Sequence, residues 1–179
     1  MPRATTRTAQ QLVDDHIHFI GRYLRHLGVP EHDVEDAVQV VFVTATRKLE
    51  RIEPGRERSF LVAVALRVAS KSRRSLGRRR EVLDEELLER RDPSPTPDEL
   101  ASDRRALAAL DRILEDMSLD LRAVFVLFEI EELEVAEIAS MLDVPQGTVS
   151  SRLRRAREDF RARVRRYQLK NGLPTEDEK

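Results

Sequence analysis

The stretch Leu133-Glu-Val-Ala-Glu-Ile-Ala-Ser-Met-Leu-Asp-Val-Pro-Gln-Gly-Thr-Val-Ser-Ser-Arg-Leu-Arg-Arg-Ala-Arg157, which runs on basic to Arg166, decides the fold. Val135, Ile138, Ala139 and Leu142 fall at helical spacing and predict a short amphipathic helix. Asp143, Val144 and Pro145 break it, because proline cannot continue a helix yet suits the first turn of the next. The following segment carries Val149, Leu153 and Ala156 on one face, with Ser150, Ser151, Arg152, Arg154, Arg155 and Arg157 around the rest. Two short helices, a tight turn and a basic second helix make a helix-turn-helix pattern, whose second helix suits the major groove of DNA. From 145 to 170 there are nine Arg or Lys against Glu158 and Asp159, a surplus of seven positive charges suited to neutralising phosphates. The bland alternative is a solvated charged face on an ordinary helix, and the apolar spacing across the turn argues against it.

The composition favours helices throughout. Charged residues make up 36 % of 179 and aromatics only 4 %, a profile of surface-rich helical bundles rather than β-sandwiches. The formal net charge is −1, so any basic function resides in blocks and not in the average. The absence of cysteine excludes disulfides, thiolate metal sites and a thiol nucleophile. Residues 1–11 are polar and do not resemble a signal peptide, and apolar runs such as 123–128 are far short of a membrane span. A soluble cytoplasmic protein without membrane insertion is expected.

Working outward, residues 1–8 are expected to be a disordered arm. Leu12, Val13, Ile17, Ile20 and Leu24 predict a helix ended by Gly28 and Pro30. Val34, Ala37, Val38, Val41, Phe42 and Ala45 predict a second, over about 33–49, with Glu35 and Asp36 near its positive end. A third starts near Ser59 with Phe60, Leu61, Val64, Ala65 and Val68, turns basic through Arg67, Lys71, Arg73, Arg74, Arg78, Arg79 and Arg80, and is expected to end or bend at Gly77. The charge then reverses: 81–103 holds nine acids against Arg90 and Arg91, and 92–98 contains three prolines, the pattern of an extended linker. Beyond it, Leu107, Leu110, Ile113 and Leu114 predict one helix, and Val124, Phe125, Leu127, Phe128 and Ile130 another, on which the helix-turn-helix can pack. The expected fold is all-α: two small helical domains, 9–83 and 101–170, joined by the acidic linker 84–100 and followed by a flexible tail, 171–179.

Two motif sets carry a resemblance over about 160 residues. Asp33-Val-Glu-Asp-Ala-Val-Gln-Val-Val-Phe42, Arg47-Lys-Leu49, Arg58-Ser-Phe-Leu61 and Arg67-Val-Ala69 resemble one conserved region of bacterial sigma factors of the extracytoplasmic-function group. Arg122-Ala-Val-Phe-Val-Leu-Phe-Glu129, Ile138-Ala139, Gly147-Thr-Val-Ser-Ser-Arg152 and Arg155-Ala-Arg157 resemble another. The resemblance implies a non-enzymatic factor that binds RNA polymerase core, reads two promoter elements and opens the duplex at the downstream one, and it requires neither cofactor nor metal.

Carried onto this sequence, the resemblance implies that Asp33, Glu35, Asp36, Gln39 and Phe42 dock on a coiled-coil of the polymerase. A carboxylate-rich face suits a basic helical partner, although Glu35 and Asp36 also serve as dipole compensation. Arg67, Lys71, Arg74, Arg78 and Arg79 would meet the minus-ten element, with the loop 50–58 holding a flipped base. Ser150, Ser151, Arg154 and Arg155 would face base edges of the minus-thirty-five element, while Arg152, Arg157 and backbone amides near Gly147 and Thr148 hold phosphates. Many members of the group are held by an anti-sigma protein, so such a partner is admitted.

The sequence departs from the group's pattern at several places. Val40 stands where an acid is frequent, and Phe60 and Thr46 where other aromatics are. Glu132 and Glu134 replace a common Gly and Ser, removing an N-cap worth about 1 kcal/mol. Two other readings compete. A metal site from Asp14, Asp15, His16 and His18 is disfavoured because positions two apart on a helix diverge. A stand-alone helix-turn-helix regulator would bind operators as a dimer and need no polymerase-docking helix.

Overall fold

The computed structural model describes residues 8–83 and 99–172, for 77–83 and 99–105 the backbone only. Residues 1–7 of the expected arm, 84–98 of the acidic linker and 173–179 of the tail lie outside the described residues. Helix α1 (Ala9–His26) begins with a capping box: the Thr8 hydroxyl accepts from the Gln11 amide, and the Gln11 side chain accepts from the Thr8 amide at 2.9 Å. It ends where Gly28, at φ +93°, lets the Val29 amide turn back to the Leu24 carbonyl at 3.1 Å, so the last carbonyls find donors. A short 3-10 turn, Glu31–Asp33, leads into α2 (Val34–Thr46), and a second, Leu49–Arg51, precedes α3 (Glu57–Leu83).

Helix α3 starts two residues before Ser59 and does not stop or break at Gly77. A glycine inside a helix costs only about 1 kcal/mol, which flanking arginines of good helix propensity can absorb. Beyond the linker come α4 (Glu99–Glu115) and α5 (Leu119–Phe125), which widens into a π-helical turn, Val126–Ile130. Helices α6 (Val135–Leu142) and α7 (Gln146–Lys170) follow.

Helices α1, α2 and α3 pack on one another, and α5 and α6 each pack on α7. The α2 stripe reads as its spacing predicts: Val34, Ala37, Val41, Phe42 and Ala45 are buried and Val38 half-buried. The two sets do not stand apart. Helix α3 packs on α6, α1 touches α4 and the π-helical turn, and the buried apolar residues of both halves form one continuous cluster.

Polar contacts cross the same seam. Arg122, 1 % exposed, donates through Nε to the His26 carbonyl at the end of α1, and through Nη1 to the Leu114 carbonyl at 2.7 Å near the end of α4. Two negative helix ends converge on one guanidinium, which is how a buried cation is tolerated. Burial, then the neighbouring Arg73, pushes the Arg122 pKa down to about 10, against the pull of Asp111 and Glu115. A side chain at Gly28 would press on this guanidinium, since a Cβ there would lie 3.0 Å from Nη1.

Tyr23 is fully buried and stacks on Phe19 with ring centroids 5.9 Å apart, but its hydroxyl has no hydrogen-bond partner among the described residues. Tyr23→Phe is therefore expected to stabilise the fold by about 1 kcal/mol, measured by urea unfolding. Burial also raises the Tyr23 pKa well above its ordinary value of 10. The folded state thus keeps a proton that the unfolded state loses, so its contribution is intact below pH 10 and declines above it. Between pH 9.5 and 11 the native chain is expected to lose about 1 kcal/mol more stability than the Phe variant. Equal losses would mean that the phenol reaches solvent.

Candidate nucleic-acid interface

The turn between α6 and α7 is built as the broken periodicity requires. Asp143 adopts the left-handed conformation at φ +53°, and the Val144 amide reaches back to the Ala139 carbonyl at 3.1 Å. Pro145 sits at the N-cap, one position before the first helical turn. Its carbonyl accepts from the Thr148 amide at 2.9 Å and from the Val149 amide at 3.2 Å. The Thr148 amide therefore already has a partner within the chain.

On α7, Val149, Leu153 and Ala156 are buried against the neighbouring helices. Gly147, Ser150, Ser151, Arg154, Arg155 and Arg157 are exposed, whereas Arg152 and Thr148 are half-buried. Arg154 pairs with Glu158 at 2.9 Å, Arg157 with Glu129 at 2.6 Å and Arg152 with Asp120 at 3.8 Å. The Arg157 guanidinium also lies 5.1 Å from the Phe128 ring centre. Such surface pairs are worth about 0–1 kcal/mol, so a phosphate can displace the carboxylate at little cost. Ser151 donates its hydroxyl to the Thr148 carbonyl at 3.0 Å, while Arg155 engages no described side chain. Ser150 and Arg155 are both exposed, with no described side-chain partner.

The α3 candidates form a row. Arg67, Lys71 and Arg74 are exposed at helical spacing, and positions 78 and 79 continue the helix, though their side chains lie outside the described residues. Arg74 bonds back to the Ser70 hydroxyl at 3.0 Å. Arg73 leaves the row and donates to the Glu115 and Met117 carbonyls at 3.0 and 2.9 Å, an engagement that charge counting did not anticipate. Phe60 packs half-buried against the core, and Thr46 is exposed.

On α2, Glu35, Asp36 and Gln39 are exposed and Asp33 is half-buried. Phe42 is 6 % exposed, as its place on the apolar stripe of α2 requires. It sits at the floor of a groove between α1 and α2, about 1070 Å³ in volume and walled by Val13, Ile17, Val34, Val38 and Val43. Ile17, Val40 and Val43 are large apolar residues left exposed around it. The groove was legible only indirectly, because periodicity assigns Ile17 to the core.

Both substituted positions before the helix-turn-helix carry a cost. Glu132 has φ +54°, where glycine is at ease, and Glu134 stands at the N-cap of α6 without a capping hydrogen bond. Glu134→Ser and Glu132→Gly are each expected to raise stability by about 1 kcal/mol in thermal or urea unfolding. A loss in either variant would show that its carboxylate holds a contact of greater worth.

Comparison with known proteins fits this geometry. The family model for Sigma-70 region 2 matches residues 12–79, covering α1 to α3, and that for Sigma-70 region 4 matches residues 107–160. The ECF RNA polymerase sigma factor SigE of Mycolicibacterium smegmatis is 32 % identical over 152 residues, 84 % of this chain, and the match spans 59 % of that relative's length. The ECF RNA polymerase sigma-E factor of Escherichia coli K12 is 31 % identical over 139 residues, 73 % of each protein. Among solved structures, CnrH in complex with the cytosolic domain of CnrY superposes with a TM-score of 0.64 at 27 % identity, covering 86 % of this chain and 85 % of that one. The sigma factor RpoE of Bartonella quintana, solved with the anti-sigma factor NepR, shares the fold with a TM-score of 0.63 at 19 % identity, covering 87 % and 96 %. No described helix is long and apolar enough to cross a membrane. With both conserved regions matched in order on the helices that carry the basic rows, the chain belongs to the ECF RNA polymerase sigma factors, non-enzymatic initiation factors of transcription.

Proposed function

We propose that this chain binds RNA polymerase core through α2 and the α1–α2 groove, and directs initiation at promoters carrying two elements it reads separately. The observation that carries the reading is the segregation of charge: an exposed acidic face on α2, and exposed basic rows on α3 and α7. Asp33, Glu35, Asp36 and Gln39 meet a basic helical partner, while Phe42 supports the groove from beneath. Arg67, Lys71 and Arg74, with Arg78 and Arg79 further along, track the minus-ten backbone. Ser150, Ser151, Arg154 and Arg155 read the minus-thirty-five groove, and Gly147, Arg152 and Arg157 hold phosphates. The boundaries proposed for the two modules are 9–83 and 101–170, in a cytoplasmic protein. An anti-sigma protein would compete with polymerase for the apolar groove.

Gel filtration with purified core polymerase at mild salt tests the reading: co-elution is expected, and separate elution without any inhibitor present would overturn it. Arg155→Ala is expected to weaken promoter binding by about 1–3 kcal/mol and to relax preference at one base position of the upstream element. An equal loss on every sequence would make Arg155 a phosphate contact.

A further inference from the structure

Helix α2 carries on its outer face a pattern that is complementary to itself. Asp36, Val40, Val43 and Arg47 follow one another at helical spacing, fall on one face and are all exposed. Val40 and Val43 are 51 and 43 % exposed, and Ile17, 38 % exposed, lines the α1–α2 groove with Val43. Three of the five large apolar residues exposed among the described residues thus lie together, where scattered ones would need no explanation. Asp36 and Arg47 close the stripe with opposite charges, and neither has a side-chain partner among the described residues. The length of helix between them is about 16 Å, so they cannot meet within one chain.

The order acid, valine, valine, base matches itself when a second α2 is laid against it antiparallel. A two-fold axis midway between Val40 and Val43 sets Asp36 of each copy against Arg47 of the other. It gathers the four valines at the centre, with Ile17 of both copies along one flank. We infer that the chain self-associates through α2, as an antiparallel two-fold dimer with a valine centre and a reciprocal Asp36–Arg47 pair at each end. The charges fix direction and register more than affinity, since exposed pairs are worth little. A parallel pairing would set Asp36 on Asp36 and Arg47 on Arg47. Affinity comes from the apolar centre. One helix pair is smaller than a standard interface, so the dimer is weak and forms as concentration rises.

The consequence for transcription rests on the docking reading above. The dimer covers the α2 face assigned to core polymerase, and Asp36 cannot serve both partners. Self-association and polymerase binding therefore exclude each other, and polymerase draws chains out of the dimer by mass action.

Sedimentation equilibrium of the full chain, over about a hundredfold range of concentration, is expected to show monomer passing into dimer. Asp36→Arg sets arginine against Arg47 at both ends of the pair, and Arg47→Asp sets carboxylate against Asp36. Each variant alone should dimerise at least about tenfold more weakly. An equal mixture of the two restores both opposite-charge pairs and should dimerise as the original chain does, and so should the double swap Asp36→Arg with Arg47→Asp in one chain. Recovery on mixing cannot come from variants that fail to fold. A chain that stays monomeric throughout, single variants that dimerise undiminished, or a mixture no more associated than its components would each overturn the interface. Core polymerase given an excess of labelled chain is expected to carry one copy. Two copies per core, once mixing has established the interface, would strike the α2 docking reading and leave the dimer standing.

Discussion

Arg122→Met is expected to lower the free energy of unfolding by about 2–4 kcal/mol. Methionine approximates the length and apolar stem of arginine, so the packing around Ala123 and Val124 is largely kept. What is lost is donation to two buried carbonyls at helix ends: that of His26, and that of Leu114, which keeps the Met117 amide at 3.1 Å. A buried acceptor left unpaired costs about 1–3 kcal/mol, and the cation's favourable place at two negative dipole ends goes with it. Against this, removing a buried charge recovers part of its desolvation penalty, which keeps the net below the sum. Arg73→Met should cost less, about 1 kcal/mol, because Arg73 is only half-buried. Urea unfolding followed by far-ultraviolet circular dichroism measures both. A loss below 1 kcal/mol for Arg122→Met would mean that water or other donors replace the guanidinium.

The double reversal Glu35→Lys with Asp36→Lys is expected to weaken binding to core polymerase by about a hundredfold, since like charges brought together across an interface cost several kcal/mol. Both side chains are exposed, so neither the core of α2 nor its contacts with α1 and α3 change. The structural cost is the loss of dipole compensation at the first turn, about 0.3–1 kcal/mol per residue. Affinity should be read by titration of labelled core polymerase, with melting temperature as the control. Binding of the full chain to a minus-thirty-five duplex should stay as it was, because α7 is untouched. Unchanged polymerase affinity would move the docking surface away from α2.

The helices themselves were largely legible, because their apolar residues recur at three and four and few of their boundaries depend on distant contacts. Val149, Leu153 and Ala156 are buried where their spacing puts them, and the α2 stripe behaves likewise. The misreading of α3 has a local cause. Gly77 reads as a breaker, yet a helix absorbs one glycine, and α3 runs on to Leu83.

The seam between the halves was not legible. Its key residues are arginines, which composition assigns to solvent or phosphate, and their partners are main-chain carbonyls that any sequence possesses. Only Arg122, alone in front of the apolar run 123–128, carried a signal, because a charge that leads a buried segment needs a partner. The α1–α2 groove was missed for a related reason: an amphipathic stripe is wide enough that part of it, here Ile17 and Val43, can remain uncovered.

Run-off transcription on a linear promoter template tests the central claim most directly. The chain and core polymerase together are predicted to yield a discrete transcript from one start, and neither alone should produce it. A chain that protects promoter DNA unaided, yet yields no transcript with active core polymerase on any template it binds, would contradict the account and describe a stand-alone duplex binder.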